Sequence, residues 1–228
     1  MFHYEKTWQD VLARIARAAR ACGRDPADVR LLAVSKTFPP EAVRAVHGLG
    51  QRAFGENYVQ EGALKMASLS DLPDIAWHLI GPLQSNKAGI AASRFAWVQA
   101  VDRAKIAARL SAARPAGMPP LSVCIQVNAS GETSKSGVVP EQAVALAQAV
   151  AALPRLELRG IMGIPEPTAD AGLRRAQFRV LRNCYEACRA AGLPMDTLSM
   201  GMSADLEDAV AEGATLVRVG TSIFGARG

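Results

Sequence analysis

Apolar and polar positions follow two rhythms along this chain. A first segment, from about Tyr4 to Cys22, carries acidic and basic residues at helical spacing and predicts an amphipathic helix. Beyond it, short apolar runs alternate with longer stretches of helical period, and the alternation continues to the end. Eight runs predict strands: 31–35, 52–55, 75–80, 97–101, 121–127, 156–162, 197–200 and 215–219. Helix starts between them are marked by Pro39-Pro40-Glu41, Asn57, Ser85, Asp102, Pro140-Glu141, Ala169-Asp170, and Ser203 with Asp205.

Eight strands, each followed by a helix or a short terminal turn, predict a closed parallel barrel rather than an open sheet. An open doubly wound sheet would need an internal switch point and fewer copies of the unit. No long linker, low-complexity tract or shift of composition interrupts the pattern. The expectation is one α/β domain over residues 1–228, a (β/α)8 TIM barrel with an extra N-terminal helix.

Composition narrows the function classes. Half of the 228 residues are hydrophobic and 21% are charged, as in ordinary globular proteins. The net charge of +5 suits anionic ligands, but the excess is not clustered. Arg14, Arg17 and Arg20 read as a solvated helix face, and no basic stripe interleaved with aromatics supports nucleic-acid binding. Cys22, Cys124, Cys184 and Cys188 form no CxxC pair and no zinc spacing, so neither a metal site nor a disulfide framework is indicated. The N-terminus lacks the apolar core of a signal peptide, and no run approaches the roughly 20 apolar residues of a membrane span. A cytoplasmic protein with reduced thiols and no membrane contact is expected.

In a barrel, functional groups collect where strands end and the following loops begin. The first strand ends LLAVSK, and period-two alternation puts Leu32, Val34 and Lys36 on one face. If that face is inward, Lys36 points into the barrel mouth, where partial desolvation favours the neutral amine that attacks aldehydes. Spacing alone leaves an exposed lysine just past a strand end as the simpler alternative. Asn57, in FGENY, reads as a helix N-cap that could also present its amide to a ring ligand. His78 alternates with Ile80 and reads as a hydrogen-bonded core residue, and Lys87 as helix surface. The polar loop 128–137, which contains Lys135, lacks the Walker spacing and reads as a mobile loop over the mouth.

The densest constellation is C-terminal: SMGMSAD at 199–205 and RVGT at 218–221. Loops after the last two strands of a barrel often hold phosphate. Ser203 and Thr221 supply hydroxyls there, and Gly201 and Gly220 permit close backbone approach. Ser203 also reads as the cap of the following helix. Arg218 shares a face with Leu216 and Gly220, so if it points inward its charge needs an acceptor at the barrel centre, such as a pyridine nitrogen.

Taken together, AVSKT at 33–37, FGENYVQE at 54–61, WHLIGPLQSNK at 77–87, SKSG at 134–137, MGMSADLEDAV at 200–210 and VRVGTSIFGAR at 217–227 resemble the YggS/PROSC family of pyridoxal phosphate homeostasis proteins. That family's fold is similar to the N-terminal domain of alanine racemase. The resemblance spans nearly the whole chain, with mild departures such as Phe38 after SKT. It implies pyridoxal 5'-phosphate (PLP) held as an imine on Lys36, ring contact near Asn57, phosphate contacts at Ser203, Gly220 and Thr221, and Arg218 at the pyridine nitrogen. It further implies a protein that holds, buffers or delivers PLP without robust catalysis, with no catalytic residue and no metal. The expected partners are PLP and apo-enzymes that use it, and the expected state is a monomer. An arginine does not readily protonate the ring nitrogen, which leaves the ring a poor sink for a carbanion. A PLP-dependent amino-acid racemase is the competing reading; it would need a second acid/base on the opposite face, which a further domain helps to build in alanine racemase.

Overall fold

The strands are short runs whose two faces are both buried, the pattern that a parallel sheet covered on both sides demands. In the computed structural model, which describes residues 4–131 and 136–226, they close into one parallel barrel in chain order. The strands are β1 (Arg30–Val34), β2 (Ala53–Glu56), β3 (Ala76–Leu79), β4 (Trp97–Val101), β5 (Leu121–Gln126), β6 (Leu156–Met162), β7 (Thr197–Ser199) and β8 (Leu216–Val219). Closure comes from β8 pairing with β1, with Leu32 opposite Arg218 and Ala33 opposite Val219.

The expected N-terminal helix is α1 (Tyr4–Ala21). It buries Val11, Ile15, Ala18 and Ala19 and packs on α2 (Pro40–Gly48), α8 (Leu206–Ala211) and α9 (Thr221–Phe224). Around the barrel lie α3 (Val59–Ser68), α4 (Ala88–Arg94), α5 (Ala104–Ala113), α6 (Ala143–Ala151) and α7 (Ala171–Ala190). Asp170 caps α7 as expected, accepting from the N–H groups of Gly172 and Leu173. Short 3-10 turns at Ser85–Lys87 and Pro140–Gln142 precede α4 and α6, so those α-helices begin one turn after their sequence signals.

Two start signals are corrected. The helix after β2 begins at Val59 with Tyr58 at its N-cap position, and that after β7 at Leu206 with Asp205, the second residue of its signal, at that position; neither Asn57 nor Ser203 caps them. Both side chains line a cavity instead. The arginine face of α1 is also not uniform. Arg17 and Arg20 are exposed, whereas Arg14 is held by Glu207 at 2.9 Å and by the Ser203 carbonyl at 3.1 Å.

Alternation sorts the strand residues. Leu31, Ala33, Val98, Val123, Ile161, Leu198 and Val217 face the helices in the main core. Leu32, Val34, Ile80 and Leu216 form a separate cluster inside the barrel, and Trp97, Ala100, Cys124 and Met162 form another. The interior is thus filled by side chains up to the C-terminal mouth. All four cysteines are free, and burial raises the Cys124 thiol to about 12, which makes it inert. No helix among the described residues is long and apolar enough to cross a membrane.

Candidate functional site

A cavity of about 570 Å³ opens at the C-terminal ends of the strands. Lys36, Asn57, Ser203, Arg218, Gly220 and Thr221, all singled out from sequence, line it together. Lys36 arrives there because Leu32 and Val34 face the barrel interior and the same alternation carries one step past the strand. Arg218 arrives by the pairing of β8 with β1, which sets its backbone opposite that of Leu32. Asn57 is fixed by its neighbour strand: a Cβ on Gly81 would stand 2.2 Å from the Asn57 carbonyl oxygen, so only glycine permits this approach.

Arg218 is buried at 3% exposure. Its Nη1 donates to the carbonyl and the hydroxyl of Ser199, and its Nη2 to the Gly163 carbonyl. Burial lowers its pKa to about 10, which still leaves the guanidinium charged at neutral pH. From Ser199 the polar chain runs on across the barrel. The serine hydroxyl donates to Gln99 Oε1 at 2.6 Å, and Gln99 Nε2 lies 2.9 Å from Nδ1 of His78. Arginine can only donate, so the direction of every bond follows from it and ends with His78 Nδ1 as acceptor. His78 is therefore neutral with its proton on Nε2. Burial, with a smaller contribution from Arg30, lowers its pKa to about 3, and its ring stacks on Trp97 at 4.9 Å. It is the core histidine that the sequence suggested.

The loops after β7 and β8 form the other wall. The Ser203 hydroxyl accepts a long bond from the Ser222 N–H at 3.4 Å, which leaves its own proton to donate elsewhere. Asp205 Oδ1 takes the Met202 N–H at 2.5 Å, and Gly201, at φ +91°, lets the chain turn under Ala209. At Gly220 a Cβ would sit 3.1 Å from the Val34 carbonyl oxygen, a tight approach between the two strands. Arg14 of α1 then anchors the loop from outside through the Ser203 carbonyl.

Sequence reasoning missed the wall formed by Ile164, Pro165 and Pro167 after β6, and Gln126 and Asn128 at the end of β5. Their position at strand ends was the available signal. In the polar loop, Gln126 Nε2 donates to the Ser136 carbonyl and Asn128 Oδ1 accepts from Ser130. Lys135 and Ser134 of that loop, and Arg227 of the last resembling segment, lie outside the described residues. No group of three metal-ligating side chains occurs among the described residues.

Comparison with known proteins agrees with this fold. The family model described as alanine racemase, N-terminal domain, matches residues 9–228. A pyridoxal phosphate homeostasis protein of Pseudomonas aeruginosa is 60% identical over 217 residues, 95% of this chain and 93% of that one. One of the same name from Escherichia coli K12 is 50% identical over 94% of this chain and 92% of its own. Among solved structures, PipY of Synechococcus elongatus with PLP bound superposes with a TM-score of 0.81 at 40% identity, covering 92% of this chain and all (100%) of that one. Alanine racemase of Corynebacterium glutamicum, at 20% identity and a TM-score of 0.65, shares the fold, this chain covering 60% of its length. The fold and the cavity thus define an alanine racemase N-terminal-type barrel. Within that class, the chain belongs to the family of pyridoxal phosphate homeostasis proteins.

Proposed function

We propose that this protein binds PLP in the mouth cavity, covalently through Lys36, and serves to hold, buffer or deliver it in the cytoplasm as a monomer. One observation carries the reading: a lysine, an arginine, an amide and two hydroxyls, drawn from the ends of four strands, converge on one cavity beside Gly220. The cofactor would supply an aldehyde, and Lys36 would hold it as an imine with loss of water. Ser203, Thr221 and the close-packed Gly220 backbone suit its phosphate, and Asn57 its ring. Among the described residues Arg218 Nε makes no hydrogen bond, which suits it to face the pyridine nitrogen.

Delivery rather than turnover is favoured by the lining. Among its described residues, Lys36 and Arg218 are the ionisable ones, and Arg218 is pinned in place as a cation. A racemase needs a second group that gives and takes protons near neutral pH. The natural recipients are apo-enzymes whose own lysine competes for the aldehyde. Mass spectrometry of borohydride-reduced native protein tests the reading. The pyridoxyl adduct is expected on Lys36, and an adduct only elsewhere, or an unchanged imine band in Lys36→Ala, overturns it.

A further inference from the structure

Behind Lys36, on the helix side of the barrel, sits a buried charge cluster that the cavity does not include. Glu56, at the end of β2, is fully buried, and Lys65 on α3 is 4% exposed. Lys65 Nζ donates to Glu56 Oε1 at 2.6 Å, to the Ser35 carbonyl at 2.8 Å and to Glu61 Oε1 at 3.4 Å. Glu56 Oε1 also accepts from the Ser35 hydroxyl at 2.6 Å. Glu61 Oε1 accepts from the Thr37 N–H at 2.6 Å. The residues before and after Lys36 are therefore both tied to one ammonium and its two carboxylates.

Stability alone does not account for this cluster. Replacing a buried ion pair by apolar side chains of similar size commonly leaves a fold as stable or more so. Here the pair is also imperfect, since Glu56 Oε2 is buried with no hydrogen-bond partner among the described residues. Burial accordingly raises the Glu56 pKa against the opposing pull of Lys65. A second strain lies next door. Thr37 is β-branched yet adopts φ +68°, a conformation that persists only where neighbouring contacts impose it. The Glu61 bond to its N–H is such a contact. Without that turn the chain would leave β1 along a different path, and the Lys36 side chain with it.

We propose that Glu56, Glu61 and Lys65 are positioning residues for Lys36, clamping the backbone on both sides of it so that its amine is aimed into the cavity. This rests on the reading of Lys36 as the residue that captures the aldehyde. The clamp acts on imine formation: the phosphate contacts lie on other elements, and Asn57, although it follows Glu56, is held by its own backbone contact with Gly81.

The test compares PLP with pyridoxine 5'-phosphate, which has the same ring and phosphate but an alcohol in place of the aldehyde. Affinities are measured for the whole protein, the Glu56→Gln/Lys65→Met double variant and Glu61→Ala, whose side chain is partly exposed and less exposed to a folding defect. PLP affinity and imine absorbance should fall about tenfold or more in the double variant, while pyridoxine phosphate affinity stays within about twofold. Glu61→Ala should show the same split to a smaller degree, and it decides the matter alone if the double variant does not fold. Equal losses for both ligands, or no loss for either, overturn the clamp. If the unaltered protein forms no adduct on Lys36, the cofactor reading itself fails, and that outcome is seen before any variant is compared.

Discussion

Arg218 and Ser199, on the adjacent strands β8 and β7, are joined twice, since Nη1 of the arginine donates to the serine carbonyl at 2.7 Å and to its hydroxyl at 2.8 Å. The hydroxyl also relays the bond to Gln99, so Ser199→Ala strips one partner from each neighbour inside the barrel. Leaving a buried polar group unsatisfied costs about 1–3 kcal/mol, and urea unfolding of Ser199→Ala should show a loss in that range. PLP affinity should change little, because the carbonyls of Ser199 and Gly163 still hold Arg218. A large affinity loss without a stability loss would contradict this division of roles.

Phosphate recognition is expected to depend on Ser203 and Thr221. Ser203→Ala and Thr221→Ala should each weaken PLP binding by about 0.5 to 3 kcal/mol, the span from an ordinary hydrogen bond to one with a charged group. Unphosphorylated pyridoxal should lose much less. Titration of both ligands into each variant measures the difference, and equal losses would remove these hydroxyls from the phosphate.

His78 gives the fold a pH dependence of defined sign. Its pKa is about 3 in the folded state and that of an ordinary histidine, near 6.5, when unfolded. Between those values the unfolded chain binds the extra proton, so stability is full above about pH 6.5 and declines as the pH falls. The decline from pH 6.5 to pH 5 should be about 1 to 2 kcal/mol in denaturant titrations. His78→Gln should flatten that slope. A histidine nitrogen spectrum showing His78 cationic at pH 5.5 would refute the buried neutral tautomer.

Turnover of amino acids should be absent or slow. Incubating the PLP-loaded protein with L- and D-amino acids in deuterated water reports α-proton exchange by NMR. Rates in the usual enzyme range of about 1 to 1000 per second are not expected. Fast exchange abolished by Lys36→Ala would make the protein an enzyme of the racemase type. Slow exchange together with transfer of PLP to an apo-enzyme supports the carrier.

The barrel was legible in the sequence because its strands are buried on both faces and so stand out as apolar runs of constant spacing. Six of the residues that line the cavity were legible for a related reason, as they sit where those runs end. Helix starts at Asn57 and Ser203 were misread because capping is a local preference, and tertiary partners claimed these residues: Asn57 lies under Gly81, and Ser203 meets the Ser222 N–H. Arg14 looked like surface because its ion-pair partner, Glu207, is 193 residues away. Glu56 showed only as a carboxylate at a strand end, since its burial appears only once α3 folds across β2 and brings Lys65 onto it.

The register between β8 and β1 has a consequence for biosynthesis. The lysine side of the cavity is made within the first 36 positions, and the arginine and its following turn lie at 218–221. These groups meet only when Leu32 finds Arg218 across the closing seam. A chain emerging from the ribosome therefore has no half-built pocket to load. On the proposed reading, capture of the cofactor would report that synthesis has reached the last strand, and a copy cut short of β8 should lose binding outright rather than by degrees.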